Sequence, residues 1–384
     1  MLKAKKWFNG KAKNISFIVT ERCQLACKYC YEVHKDHNTD MTFETAKRAV
    51  DLIFSDESMC SAPAVIWDFI GGEPLLMIDL IAQISDYAIE KAHACGHLWK
   101  DNYLFSIATN GLLYQNQRVQ DYIQKHKEHL SITISIDGVR ERHNQQRIYR
   151  NGKGSFDDVL PNVRQWISDF QFTSVKSTIS HEDVPFVRDS VLFLYELGVT
   201  NVHMNTVYED VWIKEDSEVY EKQLYMLAED ILSKKLYNEH TCSLFDETIG
   251  NPLPLSYDKN WCGCSEMLAI DAEGYLYPCI RFKRFSLSHK PARTIGNVNS
   301  GFDRNRMRPF QTLTRSIISD PKCLTCPVAS GCGWCQGLNY DLSQMGTIFN
   351  RCTFICDLHK ARVKANNYYW SAIREAEHKW GLDL

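Results

Sequence analysis

Between residues 14 and 208 the chain alternates six times between a short apolar run and a helical pattern, and no other feature narrows the fold as far. The runs lie at 15–20, 65–70, 103–109, 130–136, 172–179 and 201–207. Several are apolar nearly throughout, as expected of strands covered on both faces. Helical periodicity separates them at 42–54, 75–94, 116–127, 156–170 and 184–197. Thr42 is the candidate N-cap of the first helix, Glu44 sits in its first turn, and Gly198 closes the last. Strand and helix in succession give a parallel sheet. Six units fit either a doubly wound sheet or an incomplete (β/α) barrel.

The strand ends favour the barrel. They read Thr20-Glu21-Arg22-Cys23, Gly71-Gly72-Glu73-Pro74, Thr109-Asn110-Gly111, Ser135-Ile136-Asp137-Gly138, Ser177-Thr178-Ile179-Ser180 and Asn205-Thr206. Turn chemistry accounts for any one of these caps. Their repetition fits a partial (β/α)6 barrel better, because barrels gather functional groups at the C-terminal ends of their strands. Residues 1–210 are thus one α/β unit. Residues 211–258, helical at first and then loop-like, read as a connector. Residues 259–358 lose periodicity as cysteine density rises, and such a segment needs metals to hold it together. Residues 359–384 read as an amphipathic C-terminal helix stopped by Gly381.

The bulk properties exclude several classes. A net charge of −3 with no dense Lys/Arg run gives no reason to expect nucleic acid as a partner. No apolar stretch approaches the roughly 18 residues of a membrane span. The basic start Met1-Leu2-Lys3-Ala4-Lys5-Lys6 is followed by no apolar signal region, so a cytoplasmic location is expected. In that reducing setting the fifteen cysteines are metal ligands rather than disulfides. Three stand at Cys23, Cys27 and Cys30, nine crowd into 262–356, and only Cys60, Cys95 and Cys242 stand alone, each expected to be a small buried hydrophobe.

Cys23, Cys27 and Cys30 have C-x3-C-x2-C spacing directly after the first strand. Three thiolates leave one position of a metal centre open for a substrate or cofactor. On spacing alone an iron–sulfur cluster, a zinc site completed from elsewhere, and three unrelated thiols all remain. Together with Gly71-Gly72-Glu73-Pro74 after the second strand, the motif resembles the radical S-adenosylmethionine enzymes, over roughly residues 14–210. The resemblance implies a [4Fe–4S] cluster on Cys23, Cys27 and Cys30, with S-adenosylmethionine on the fourth iron. One electron then yields a 5′-deoxyadenosyl radical that abstracts a substrate hydrogen. It also implies that Gly71, Gly72 and Glu73 contact the methionyl amine, that Tyr29 packs by the adenine, and that Ser135 and Asp137 lie near the ribose. Asn110 and Lys176 are further candidates on the same rim. Arg147 is a candidate for a substrate carboxylate, with a solvated surface arginine as the alternative.

The C-terminal cysteines resemble the SPASM domain, which carries two auxiliary [4Fe–4S] clusters in peptide-modifying radical enzymes. The carriers are Cys264-x9-Gly274-x4-Cys279, then Cys323-x2-Cys326-x5-Cys332-x2-Cys335, then Cys352. The family has three residues between the last two central cysteines, whereas Gly333 and Trp334 make two here. By resemblance the second auxiliary cluster takes Cys323, Cys326, Cys332 and Cys352. The first takes Cys264, Cys279 and Cys335, with Cys262 as a candidate fourth ligand and an open iron as the alternative. Cys356 is a spare that can replace Cys352. A pair of structural zincs is the competing reading.

Such enzymes act mostly on peptides. Thioether crosslinking of a ribosomally synthesised precursor (as in sactipeptide and ranthipeptide maturases), sulfatase maturation and carbon–carbon crosslinking compete. Sulfatase maturases place an Asp base directly after the Tyr-Pro-Cys cysteine, whereas Tyr277-Pro278-Cys279 is followed by Ile280. That favours the thioether class, with a flavodoxin or ferredoxin as electron donor. Only thirteen residues precede the first strand, too few for an N-terminal leader-recognition domain, so a leader is expected to dock elsewhere or on a separate protein. A non-catalytic iron–sulfur electron carrier is the reading from a different class.

Overall fold

The computed structural model describes residues 10–34, 38–259, 262–264 and 266–379. All six runs form strands: β1 (Lys13–Thr20), β2 (Val65–Gly71), β3 (Tyr103–Thr109), β4 (Leu130–Ile134), β5 (Ser174–Ile179) and β6 (Asn201–Thr206). β1 to β4 pair in parallel in that order, with Phe17 beside Phe69 and Ile107 beside Ile132. β5, β6 and a short β7 (Thr241–Cys242) form a second parallel group, packed beside β4 without a shared ladder. This is the partial barrel, with its ladder interrupted between β4 and β5.

Helices α1 (Phe43–Ser55), α2 (Ile78–Ala94), α3 (Gln117–His126), α4 (Arg140–Gln146), α5 (Phe156–Asp169) and α6 (Val187–Glu196) follow their strands. Thr42 caps α1 by accepting from the Thr45 amide, and Gly198 ends the turn after α6 at φ +95, where a Cβ is disfavoured. Alternate strand residues such as Phe17, Trp67, Phe69 and Phe105 are fully buried against these helices, each worth about 1.5–3 kcal/mol. The opposite strand faces line the lumen.

Residues 211–258 do more than connect. They carry α7 (Lys214–Ser233), packed on α6, and β7, which extends the parallel array. The C-terminal region also enters the barrel's sheet. β8 (Leu268–Ile270) pairs in parallel with the free edge of β1, and β9 (Tyr275–Tyr277), β10 (Gly296–Asn297) and β11 (Gly301–Phe302) continue antiparallel. A short helix α8 (Gln336–Leu342) follows the central cysteines. The last helix, α9, starts at Cys356 rather than 359 and runs Cys356–Lys379 along α7. Gly381, its expected stop, lies outside the described residues. No described helix is long and apolar enough to cross a membrane.

Among the described residues no cysteine is joined in a disulfide. The expectation that the three isolated ones are buried holds only for Cys242. Cys60 is half-buried and Cys95 is exposed, because Cys95 caps the C-terminus of α2 at the surface.

Candidate functional site

The site is built on the end of β1. There the β1–β2 register slips between Ile18 and Thr20, a bulge that redirects the chain into the cysteine loop. Asp40 holds the loop's base, accepting from the Thr20 hydroxyl at 2.5 Å and from Arg22 at 2.6 and 2.9 Å. Further on, the Ala26 and Lys28 amides donate to the carbonyls of Ile148 and Gln146, strapping the loop to the segment after α4. Gly71 and Gly72 press against its other side. The Gly72 and Glu73 amides donate to the Thr20 and Arg22 carbonyls at 2.9 and 2.8 Å, and a Cβ on either glycine would collide with that backbone. The glycines therefore bring two strand ends together.

Glu73 is buried, 1% exposed. One carboxylate oxygen accepts from the Thr109 hydroxyl at 2.6 Å and the Leu75 amide at 3.1 Å, and the other from the Asn110 amide at 2.8 Å. Burial raises its pKa, with those donors and Arg147 pulling against it. Its position ties the ends of β2 and β3 together. Asn110 continues the tie by donating to Gln24 at 3.1 Å and lying 3.8 Å from the Cys23 sulfur.

The three thiols share one electrostatic neighbourhood. Burial pushes Cys23 up to about 12, and Glu73, Cys27 and Cys30 add to it while the Leu25 amide opposes. As a bare thiol Cys23 stays neutral at physiological pH. Three thiolates there need a strongly electropositive partner, and all-sulfur donors suit an iron–sulfur cluster.

A buried cluster of charges sits beside them. Asp137, fully buried, accepts from the Tyr29 hydroxyl at 2.5 Å and from Arg147 Nε at 2.9 Å, and the Arg147 guanidinium lies 5.4 Å from the centre of the Tyr29 ring. Arg142 donates to the Asp137 and Thr178 carbonyls, and Asp183 lies 3.5 Å from its Nε. Burial pushes Asp137 up, but Arg147, Arg142, His143 and the Tyr29 hydroxyl outweigh it and hold the carboxyl below its ordinary value. Arg147 is thus neither solvated nor a free receptor for a substrate carboxylate. It is 9% exposed and committed to Asp137. Ser135 stands at the same rim, its amide donating to the Thr109 carbonyl at 2.8 Å. Lys176 is apart from this group, exposed on the lumen face of β5.

The C-terminal cysteines fall into two groups. Cys262, Cys264, Cys279 and Cys335 form the first: Cys264 hydrogen-bonds Cys262 and holds it at about 7, and Cys279 feels both Cys262 and Cys335. Arg281 stands next to Cys279 and Cys335 and donates to Glu209 at 2.5 Å. The second group walls a cavity of about 350 Å³ formed by Cys323, Cys326, Cys332, Cys352 and Cys356, with Trp334 and Arg351. Arg351 donates to the Cys332 sulfur at 3.0 Å. Burial pushes Cys332 up, with Arg351 opposing, and it pushes Cys352 up as well. Five thiols around such a cavity fit a sulfur-ligated cluster. The first group is tethered to the barrel mouth, since Lys283 pairs with Glu21 and the amides of Val33 and His34 donate to the Phe285 carbonyl.

Sequence reasoning missed Asp40, Asp68, Arg142, His143, Asp183 and the Arg281–Glu209 pair. Asp68 had a signal, a lone acid at the alternate position of an apolar strand. Arg142 and His143 had none, because the polar helix α4 reads as solvated surface although both are fully buried.

Residues 17–178 match the model of the Radical SAM superfamily. An uncharacterised protein of Methanocaldococcus jannaschii is 32% identical over 193 residues, covering 50% of this chain and 61% of that protein. The cysteine-type anaerobic sulfatase-maturating enzyme of Clostridium novyi is 24% identical over 342 residues, covering 82% of this chain and 85% of that one. Among solved structures, native anSMEcpe with bound AdoMet has a TM-score of 0.66 at 16% identity, covering 95% of this chain and 99% of that one. Streptococcus suis SuiB bound to precursor peptide SuiA has a TM-score of 0.57 at 13% identity, covering 89% and 75%. At these identities the structural likeness is one of fold.

Proposed function

With residues 17–178 forming a radical SAM domain, we propose that the whole chain is a peptide maturase that installs thioether crosslinks, cysteine sulfur to carbon, in a ribosomally synthesised precursor. The observation that carries it is the tethering of the first C-terminal cysteine group to the same barrel mouth that presents Cys23, Cys27 and Cys30. A [4Fe–4S] cluster on those three, with S-adenosylmethionine bound, supplies a radical that removes one substrate hydrogen atom. Tyr29, Asp137 and Arg147 hold the cysteine loop, Glu73 and Asn110 join it to β2 and β3, and Gly71 and Gly72 allow the close approach. Ser135 and Lys176 face the mouth and lumen.

Two auxiliary clusters complete this reading. Cys323, Cys326 and Cys332 would hold the second together with Cys352 or Cys356, since all five line one cavity. Cys262, Cys264, Cys279 and Cys335 would hold the first. In the overall change a carbon–hydrogen and a sulfur–hydrogen bond are exchanged for a carbon–sulfur bond. One hydrogen atom goes to the adenosyl group, one proton leaves, and an auxiliary cluster, where bound, would take up the remaining electron. A flavodoxin or ferredoxin supplies the electron that starts each cycle.

Sulfatase maturation is the second reading, favoured by the likeness to anSMEcpe and to the Clostridium novyi enzyme. Against it, Ile280 stands where a carboxylate base is needed and packs against the hydrophobic core. Anaerobic co-expression with a short Cys-rich precursor peptide tests the proposal. Each crosslink should remove two hydrogens and one maleimide-reactive thiol. Deoxyadenosine accumulating while every thiol persists would sink the thioether assignment, and an aldehyde at the target cysteine would favour the second reading.

A further inference from the structure

The cavity walled by the second group of C-terminal cysteines carries charge of one sign. Arg315, Lys322, Arg351 and Lys360 line it together with the thiols, and among the described residues no carboxylate does. Lys322 and Lys360 lie near acids outside it, Asp320 at 3.9 Å and Asp357 at 3.2 Å. Arg315 is buried and donates to the Leu324 and Pro254 carbonyls at 2.7 and 3.4 Å. Arg351 differs from all three. Among the described residues it has no carboxylate partner, and it donates to the Ser319 hydroxyl at 3.4 Å, the Cys332 carbonyl at 3.3 Å and the Cys332 sulfur at 3.0 Å.

An arginine that only tied two loops together would need no more than the carbonyl. Here one nitrogen, Nη2, reaches both acceptors of Cys332, and the bond to sulfur is the shorter. The guanidinium lies 4.4 Å from the centre of the buried Trp334 ring, a stacked position that keeps the donor aimed. The first cysteine group offers a contrast. Arg281 stands beside Cys279 and Cys335, but it donates to Glu209 at 2.5 Å, which offsets its charge.

An iron–sulfur cluster on four thiolates is an anion, and an added electron makes it more negative. A cationic N–H donor on a ligating sulfur therefore stabilises the reduced form more than the oxidised one. The effect is largest where no carboxylate cancels the charge. We propose that Arg351 sets the reduction potential of a cluster held by Cys323, Cys326 and Cys332, raising it through the hydrogen bond to the Cys332 sulfur. Arg351 acts through Cys332, so it is a positioning residue and not a ligand. Its role is the same whichever of Cys352 and Cys356 completes the site. The inference rests on the reading of this cavity as an auxiliary-cluster site.

The test uses the full chain carrying Cys23→Ala, Cys27→Ala and Cys30→Ala, reconstituted anaerobically so that only the C-terminal clusters contribute. Potentiometric titration followed by EPR should then show two one-electron waves. Cys326→Ala should abolish one of them, which marks it as the cavity's own. Arg351→Met should shift that wave at least tenfold toward the oxidised form, about 59 mV for one electron, and leave the other in place. Where Arg351→Met holds no iron in the cavity, the shift is read from Arg351→Gln, which keeps a neutral donor and should move the wave the same way by less. A purely structural role would change iron content without moving the wave. An unmoved wave overturns the inference, and so does an equal shift of both waves. Loss of the cavity's iron from both variants also overturns it, because Arg351 would then build the site rather than tune it. Failure of the cluster reading looks different: zinc replaces that iron in the parent, and Cys326→Ala abolishes no wave.

Discussion

Replacing Asp137 by alanine tests the buried charge cluster that holds the cysteine loop. The carboxylate is fully buried and takes hydrogen bonds from Tyr29 and Arg147. Without it the Arg147 guanidinium, 9% exposed, loses the carboxylate it is hydrogen-bonded to. Removing one member of a buried ion pair costs about 3–5 kcal/mol, because the remaining charge stays desolvated. Replacing both members by apolar residues is often near neutral, so Asp137→Leu with Arg147→Met should recover all but about 1 kcal/mol. Anaerobic urea denaturation followed by tryptophan fluorescence reads the stability change. Iron content reads the cysteine loop, since Tyr29 lies between Cys27 and Cys30 and loses its anchor in the single variant. The reasoning fails if Asp137→Ala lies within about 1 kcal/mol of the parent, or if the double variant is no more stable than the single one.

Gly72→Ala should cost about 2–4 kcal/mol, from two backbone hydrogen bonds at about 1 kcal/mol each plus the strain of a collision with unyielding backbone, and should lower iron binding at the first three cysteines; urea titration with iron analysis checks both. Of Cys352→Ala and Cys356→Ala, the variant that lacks the fourth ligand of the cavity should lose one auxiliary cluster's worth of iron and sulfide while the other keeps it, as read by iron and sulfide assay with Mössbauer spectroscopy; loss in neither would refute a cluster in that cavity. His143 provides a pH test. Burial lowers it to about 4, with Arg147 and Arg142 adding and Asp137 opposing, so the fold favours the neutral ring. As pH falls through about 6.5 the unfolded chain takes up a proton that the native ring refuses, so stability is lost from there down to about 4, by about 3 kcal/mol in all. In His143→Gln that part of the acid loss should vanish from melting curves recorded across the window, and an unchanged slope would mean the ring is protonated in the fold.

Much of this was legible in advance because the residues concerned are governed by local rules. Apolar runs and helical periods located β1 to β6 and the helices that follow them, since burial on two faces dictates composition whatever the neighbours are. The triad Cys23, Cys27, Cys30 and the strand cap at Gly71 could be read for the same reason: a metal needs soft ligands at short spacing, and a close backbone approach needs glycine. β8 could not be read, because a strand of three residues has too short a period to stand out, and its partner β1 is some 250 residues away. The fate of Arg147 was equally hidden. Its burial depends on Asp137 and Tyr29 arriving from separate segments, and nothing in its own neighbourhood distinguishes it from a surface arginine.

The sequence by itself determined the strand–helix order, the cysteine triad and the presence of a second, cysteine-rich half, because these follow from which side chains each segment carries. Only the tertiary structure decided how they are used. It turned Gly71 and Gly72 into a clasp on the cysteine loop and locked Arg147 into a buried pair. Each of these depends on distances between segments remote in the chain. Those distances are fixed by the curvature and register of the sheet, which come from the packing of all the strands at once and are carried by no single stretch of residues.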